Sequence, residues 1–584
     1  MKKKISAALA AMLAVCAFSG CVGKGGAGKR VTFLYTGSGE IGTEISLLID
    51  TYNSTQGKTD NVSIRAASVD DGGYDTRMST SVYSDTYDLY ATRDEYYKKY
   101  AANFENLSDY EGISDITSGI YDNQLGRMRY NPEKNTSNAE DSLYALPLVN
   151  SITVMYYNKT LLQKAGVICI GVEEKDLAAF NAGTLADAYG RTKSDYGITV
   201  DVPAKGFYRE NAFVAKKNVT DGSGWTLPAE NEVMIFNDKI AMSWDESEDV
   251  AMLMTKSKNA ASPTDYGYHT EWWFGYGWSV GGDCAEDIGD GDWKYTLPDS
   301  TANYIVAEGK TYTGEYTGIT YQAGETLEFL DKLAVNKGET VMANDDNTFS
   351  VNGKVISVRE SLAAAVSGGT LTELPSTAEA FSRFAMLAGV GGLNVCPRPE
   401  NISNAITFFN SGRLAFCVEE MRYFPDVEKA MSQRNNEWGV CKLPVYKTYD
   451  ENGNVTALGK EAAHSLGYGI AINKLSGMKN EAYKVLSWMA TEGQKVLAEN
   501  GYASSQKANE NLFIENCKYP NASVIARINA DSRPGDWWYM PDRLWINIWA
   551  DPLNGQVRNG KMTLADFFAN YTAATNAALA LYKK

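Results

Sequence analysis

Residues 31–52 read VTFLYTGSGEIGTEISLLIDTY. The first five are apolar, β-branched or aromatic, the composition of a buried strand. Thr36-Gly37-Ser38-Gly39 breaks that run, and Ile41, Ile45, Leu48, Ile49 and Tyr52 follow at the spacing of a helix with one apolar face. A second strand is expected at VSIRAA from Val62 and a third at YDLYA from Tyr87, with a helical segment between them. Strands alternating with helices in this way predict an α/β chain built on mostly parallel sheet. Ligands of such sheets bind off the carboxyl ends of strands. That places Gly39 and Glu40, Asp70 and Asp71, and Arg93 and Asp94 on one rim.

Upstream, Lys2, Lys3 and Lys4 precede an apolar run over residues 5–18, the pattern of a secretory signal and too short to span a bilayer as a mature helix. Ser19 and Gly20 directly before Cys21 resemble the lipobox of bacterial lipoproteins, with Phe18 where Leu is usual. The resemblance implies a signal peptide over residues 1–20, a lipid on Cys21 and a Gly-rich tether over 21–30. GKGGAGKR, residues 23–30, comes close to a phosphate-binding loop. Such a loop needs a strand before it and a helix after it, whereas here a strand follows and Arg30 stands in the Ser/Thr place.

The whole chain has 584 residues and a net charge of −17, which becomes −20 once the three signal-peptide lysines are removed. So acidic a chain is poorly matched to nucleic acid, which is bound through clustered Lys and Arg. Beyond Cys16 and Cys21, the cysteines are Cys169, Cys284, Cys396, Cys417, Cys441 and Cys517, with no C-x-x-C spacing, so no metal site is expected. Cys417 and Cys441 lie in apolar strand-like runs and read as buried free thiols. Ser243 with Glu246, and Ser376 with Glu379, read as capping boxes opening helices. Residues 168–240 and 293–375 carry turn signals such as Asn352-Gly353 between strand-like runs, which predicts two small β-rich insertions.

A family resemblance enters with LPLVNSITVMYYNKTLLQKAG at 146–166, which looks like the hinge segment of extracellular solute-binding proteins. IAMSWDES at 240–247 is similar to that family's T-W-D-E-L helix start, and WSVGGD at 278–283 to its Gly-Gly cleft loop. ITFFNSGRLAFCVEE at 406–420 resembles its F-x-x-G-K-A-A-M crossover, and WGVCKLP at 438–444 and the segment 465–494 follow in the family's order. The resemblance covers about two thirds of the chain and omits both insertions. It is to carbohydrate-binding lipoproteins of ABC importers, of the maltose- and maltodextrin-binding kind. It implies a two-lobed, type II periplasmic-binding-protein-like fold, each lobe a mostly parallel sheet flanked by helices. By analogy lobe 1 takes 31–148 and about 408–446, and lobe 2 takes 149–407 and about 447–584. It also implies a monomer held at the outer face of the cytoplasmic membrane, handing its sugar to permease subunits.

Sugars present apolar C–H faces and a rim of hydroxyls, so their sites pair flat aromatic rings with carboxylate, amide or guanidinium groups. On the expected rim stand Asn150 and Ser151 of the hinge, and Gly281, Gly282 and Asp283 of the Gly-Gly loop, flanked by Trp272, Trp273 and Trp278. Of these tryptophans, Trp273 and Trp278 are the expected platforms. Glu419, Glu420, Arg422 and Tyr423 end the crossover, and Trp537, Trp538 and Tyr539 stand where the family places a cleft aromatic. Trp244 and Asp88 read as structural. Gly277-Trp278-Ser279-Val280-Gly281 satisfies G-x-S-x-G with His464 downstream, but a nucleophile elbow needs a preceding apolar strand. Asp450 to Glu461 copies part of an EF-hand loop, yet Val455 takes the glycine place and a hairpin turn at Asn452-Gly453 is simpler. Asp287, Asp290 and Asp292 have the chemistry to hold calcium in an extracellular setting, but a solvated turn is the simpler reading. No cofactor, no metal and no catalysis are expected. The alternatives are a surface glycan-binding protein without a transport partner and a carboxylate-based glycoside hydrolase.

Overall fold

The computed structural model describes residues 28–213, 221–289, 292–336, 338–344, 347–355, 360–535, 540 and 544–582. Cys21 lies outside them. The opening stretch folds as its pattern predicts: strand β1 (Lys29–Thr36) runs into helix α1 (Gly39–Ser54). Its residues Ile41, Ile45, Leu48, Ile49 and Tyr52 are all buried. Gly39 takes φ +60, a conformation that costs glycine nothing, and opens the turn from strand to helix. Strand β2 (Val62–Val69), helix α2 (Asp71–Ser81) and strand β3 (Leu89–Arg93) complete the unit. β1 pairs in parallel with both β2 and β3, as in Val31↔Ile64 and Phe33↔Leu89. Asp70 is the N-cap of α2, its carboxylate accepting the Gly73 N–H at 2.7 Å.

The molecule turns on strand β4 (Leu146–Tyr157), whose twelve residues are all buried. Leu146, Leu148 and Val149 belong to one apolar core and Ile152 to Tyr157 to another, so the chain changes core at Asn150-Ser151. The second core gathers helix α3 (Trp244–Leu253), strand β5 (Tyr266–His269), helix α4 (Thr377–Met386), strand β6 (Leu414–Glu420) and strand β7 (Gly439–Cys441). β6 and β7 pair antiparallel with the second half of β4, while β6 and β5 run parallel with Cys417 opposite His269. Strand β8 (Ala463–Ile472) pairs with β3 and β4 together, and strand β9 (Ser532–Arg533) pairs with β8. Among the described residues this makes a nine-stranded sheet in the order β2-β1-β3-β8-β4-β6-β5, with β7 beside β4 and β9 beside β8.

One expected boundary is corrected. The return to the first core is made by residues 466–497, including helix α5 (Lys479–Ala490), while 408–446 pack in the second. Strand pairing decides this: β8 has β3 as a neighbour, whereas β6 has only second-lobe strands and the far half of β4.

Both capping boxes are present, with Ser243 accepting the Glu246 N–H at 3.0 Å and Ser376 that of Glu379 at 3.2 Å. Each insertion has its own strands and small core. The first pairs Val167–Ile170 and Phe207–Arg209 with Met234–Asn237 around Ile170, Phe180 and Ile235. The second holds short antiparallel pairs, one closed by Asn352 and Gly353 at φ 52 and 75. Asp450 closes a hairpin between Lys447–Tyr449 and Val455–Leu458, its carboxylate accepting the N–H groups of Asn452 and Asn454 at 2.8 Å. Cys417 and Cys441 are buried free thiols. Among the described residues no helix is long and apolar enough to cross a membrane.

Candidate functional site

A cavity of about 400 Å³ opens off the carboxyl ends of β5 and β6, on the second lobe. Parallel strands bring these ends together: Cys417 sits opposite His269, so the segments that follow, 270–275 and 420–423, leave the sheet side by side. Thr153 of β4, Leu443, His464 of β8, a loop over 399–405 and the pair Asn554 and Arg558 complete the wall.

One side is aromatic. Trp272 is half-buried and stacks on Phe274 at 5.8 Å, and Phe274 in turn stacks on His464 at 5.0 Å and on Trp278 at 4.1 Å. Arg558 fixes the segment beneath, donating from Nη2 to the Thr270 carbonyl at 2.6 Å and from Nη1 to that of Glu271 at 3.1 Å. Tyr423 lies on the other flank, under the Arg422 guanidinium at 5.1 Å.

The polar groups are unevenly charged. Arg422 pairs with Glu420 at 3.3 Å. Burial, reinforced by Glu271 and Glu420 nearby, pushes the Glu419 carboxyl up to about 7. Burial also takes both cavity histidines down to about 3, helped by Arg558 at His269 and by Arg127 at His464, so both rings are neutral. His464 Nδ1 lies 3.2 Å from the Thr153 hydroxyl. The arrangement offers stacking faces, acceptors and donors. It lacks a nucleophile elbow, because Ser279 follows the short helix Phe274–Gly277 rather than a strand, and its hydroxyl accepts the Tyr446 N–H at 2.8 Å.

Of the residues singled out from sequence, Glu419, Glu420, Arg422 and Tyr423 come together at this cavity. Trp273 and Trp278 do not; each is 1% exposed, in the second core, so packing accounts for them. Of the Trp272-Trp273 pair it is the first that borders the cavity. Gly281 and Gly282 are needed for close packing, since a Cβ on the first would run into Thr326 of the second insertion and one on the second into Thr377 just after it. Asp283 pairs with Arg533 at 3.2 Å. Arg93 meets Asp75 at 3.2 Å, and Asp94 is wholly buried against Arg127 at 3.3 Å. Asn150 is turned into a buried network, donating to the Asn529 Oδ1 at 2.8 Å, and Ser151 is buried beside it. Gly39 and Glu40 sit at the start of α1 and do not line the cavity. The side chain of Asp71 and residues Trp537, Trp538 and Tyr539 lie outside the described residues. Trp244 is buried behind its capping box and Asp88 accepts the Thr32 N–H at 2.8 Å, both structural as expected. Sequence reasoning passed over His269, Glu271, Phe274 and Arg558. The one signal for the first three is that residues 269–275 are the end of a strand and the segment after it, and no local signal marks Arg558.

No family model matches the chain, and no curated protein does. Solved structures do match in fold. An ABC substrate-binding protein from Listeria monocytogenes in complex with cycloalternan aligns at 13% identity over 94% of this chain and 99% of its own, with a TM-score of 0.55. The sugar-binding protein MalE from Xanthomonas citri aligns at 11% identity over 95% and 98%, with a TM-score of 0.54. A sugar transporter from Rhizobium etli in an open conformation aligns at 14% identity over 94% and 99%, with a TM-score of 0.53. At such identities the likeness is one of fold. The chain has the two-lobed, type II α/β fold of the solute-binding proteins of ABC transporters.

Proposed function

We propose that this chain is an extracytoplasmic solute receptor, anchored by a lipid on Cys21, that captures an oligosaccharide and delivers it to an ABC importer as a monomer without catalysing a reaction. The observation that carries the reading is the cavity itself. It sits off the carboxyl ends of parallel strands and sets the half-buried Trp272 and Tyr423 beside Glu419, Glu420 and Arg422. The solved structures of like fold include an ABC substrate-binding protein in complex with cycloalternan, a sugar transporter and a sugar-binding protein. The expected consequence is a rise in thermal stability with a fitting sugar: at a hundred times its Kd a ligand adds about 2.7 kcal/mol. A thermal-shift screen against mono- and oligosaccharides checks this, and no shift with any sugar would remove the carbohydrate. Labelling with a radioactive fatty acid, lost in Cys21→Ala, checks the anchor.

One observation favours a second reading. A carboxyl held near 7 beside other carboxylates, as Glu419 is, has the protonation expected of a general acid in glycoside hydrolysis. Release of reducing ends from a bound glycan would decide for the hydrolase.

A further inference from the structure

The cavity wall sets three carboxyl groups against two guanidinium groups, those of Arg422 and Arg558. Glu271, Glu419 and Glu420 all border it. Arg422 answers Glu420 at 3.3 Å, and Arg558 directs both terminal nitrogens to backbone carbonyls. Glu271 and Glu419 make no ion pair among the described residues. Burial and the charges of Glu271 and Glu420 oppose ionisation of Glu419, and the nearby Arg422 offsets them only in part. A ligand hydroxyl can donate one hydrogen bond to such a pair but leaves its charge in place. A cation removes the repulsion and makes charge-assisted bonds.

A second observation points to a ligand at this place. His269 is 5% exposed, borders the cavity, and its Nδ1 finds no hydrogen-bond partner among the described residues. Its ring is neutral, so it adds no charge that would repel a cation, and it offers a polar group to a neighbouring hydroxyl.

We propose that the ligand is a carbohydrate bearing a protonated amino group, set against Glu271 and Glu419, with an adjacent hydroxyl on His269. This rests on the carbohydrate reading above and narrows it to amino sugars.

Isothermal titration of the full chain at pH 7 tests the assignment with matched sets. One is glucose, glucosamine and N-acetylglucosamine; the other is cellotetraose with its 2-amino and 2-acetamido counterparts. In at least one set the amino member should bind about tenfold or more tighter than both relatives. That ratio should fall toward one in Glu419→Gln and in Glu271→Gln, the latter serving if the former does not fold. Equal or tighter binding of the hydroxyl or acetamido member overturns the amine and leaves the sugar receptor standing. So does a ratio unchanged in both variants, or a protein stabilised only by neutral sugars of other backbones. Binding of spermidine with no response to any saccharide overturns the amino sugar and the carbohydrate reading together, as does silence to every probe.

Discussion

Neighbouring tryptophans in this chain do opposite work. Trp273 and Trp278 are fully buried, and Trp278 is sandwiched between Phe274 at 4.1 Å and the Arg533 guanidinium at 4.9 Å. Trp272 borders the cavity with one face. Truncating a buried tryptophan leaves a void, and truncating a platform removes stacking with little loss of packing. Trp278→Ala should therefore cost about 3–5 kcal/mol in urea unfolding. Trp272→Ala should weaken sugar binding by about 1–3 kcal/mol, with a far smaller effect on the unfolding midpoint. Unfolding and titration on both variants separate the roles, and equal stability losses would show that Trp272 is core as well. The sequence offers the Trp-Trp pair but not its polarity, because which ring faces the cavity depends on the turn that follows β5.

At the level of elements, the joint between the lobes is a polar network inside an apolar sheet. Arg127 donates to the Ser465 carbonyl at 3.1 Å and to its hydroxyl at 2.9 Å, and meets Asp94 at 3.3 Å. It thus ties the end of β3 to β8 where β8 crosses from one core to the other. Both charged groups are almost completely buried, so removing one partner leaves the other desolvated and unpaired. Asp94→Asn should destabilise the chain by about 3–5 kcal/mol in urea unfolding. A loss well below 1 kcal/mol would mean that water reaches Arg127. Sequence reasoning located Asp94 at a strand end, which is right, and read it as a rim residue. The partner that makes it structural lies 33 residues away, beyond the reach of any local pattern.

Across the whole molecule, the first lobe's helix α1 meets the second lobe at an acidic contact. Glu40 is 6% exposed; Tyr519 reaches one carboxylate oxygen at 3.5 Å, and the other has no partner among the described residues. The Tyr519 ring lies 4.6 Å from that of Phe424, in the second core. Burial raises the Glu40 carboxyl from 4.5 to about 7, and the buried Glu44 one turn on is raised as well, by burial and then by Glu40. Between pH 4.5 and about 7 the folded chain therefore holds a proton that the unfolded chain has released. The stability contributed by this group is full below pH 4.5 and is lost as pH rises to about 7. Glu40→Gln should gain up to about 3 kcal/mol over the parent at pH 8 and almost nothing at pH 4.5, read from urea midpoints. Parallel stability curves from pH 4 to 8 would refute the assignment.

Much of this architecture follows from local pattern. Buried strands, amphipathic helices, capping boxes and an Asn-Gly turn are set by the period of apolar residues and by backbone chemistry within a few positions, so VTFLY and the helix after it could be placed directly. The ordered motifs extended that reading to the two-lobed fold, and the crossover's end, Glu419 to Tyr423, borders the cavity for the same local reason: it is the end of a strand and the turn after it. Pairing across the sheet was decided only in three dimensions. It sent 408–446 to the second core and 466–497 to the first, because hydrogen-bonding neighbours in a sheet are set by contacts hundreds of residues apart. It likewise hid Trp278 and the Gly-Gly loop and brought Trp272, His269, Glu271 and Arg558 to one cavity. Composition records that a chain has aromatics and carboxylates. Burial decides which of them a ligand can reach, and burial is a property of the tertiary structure.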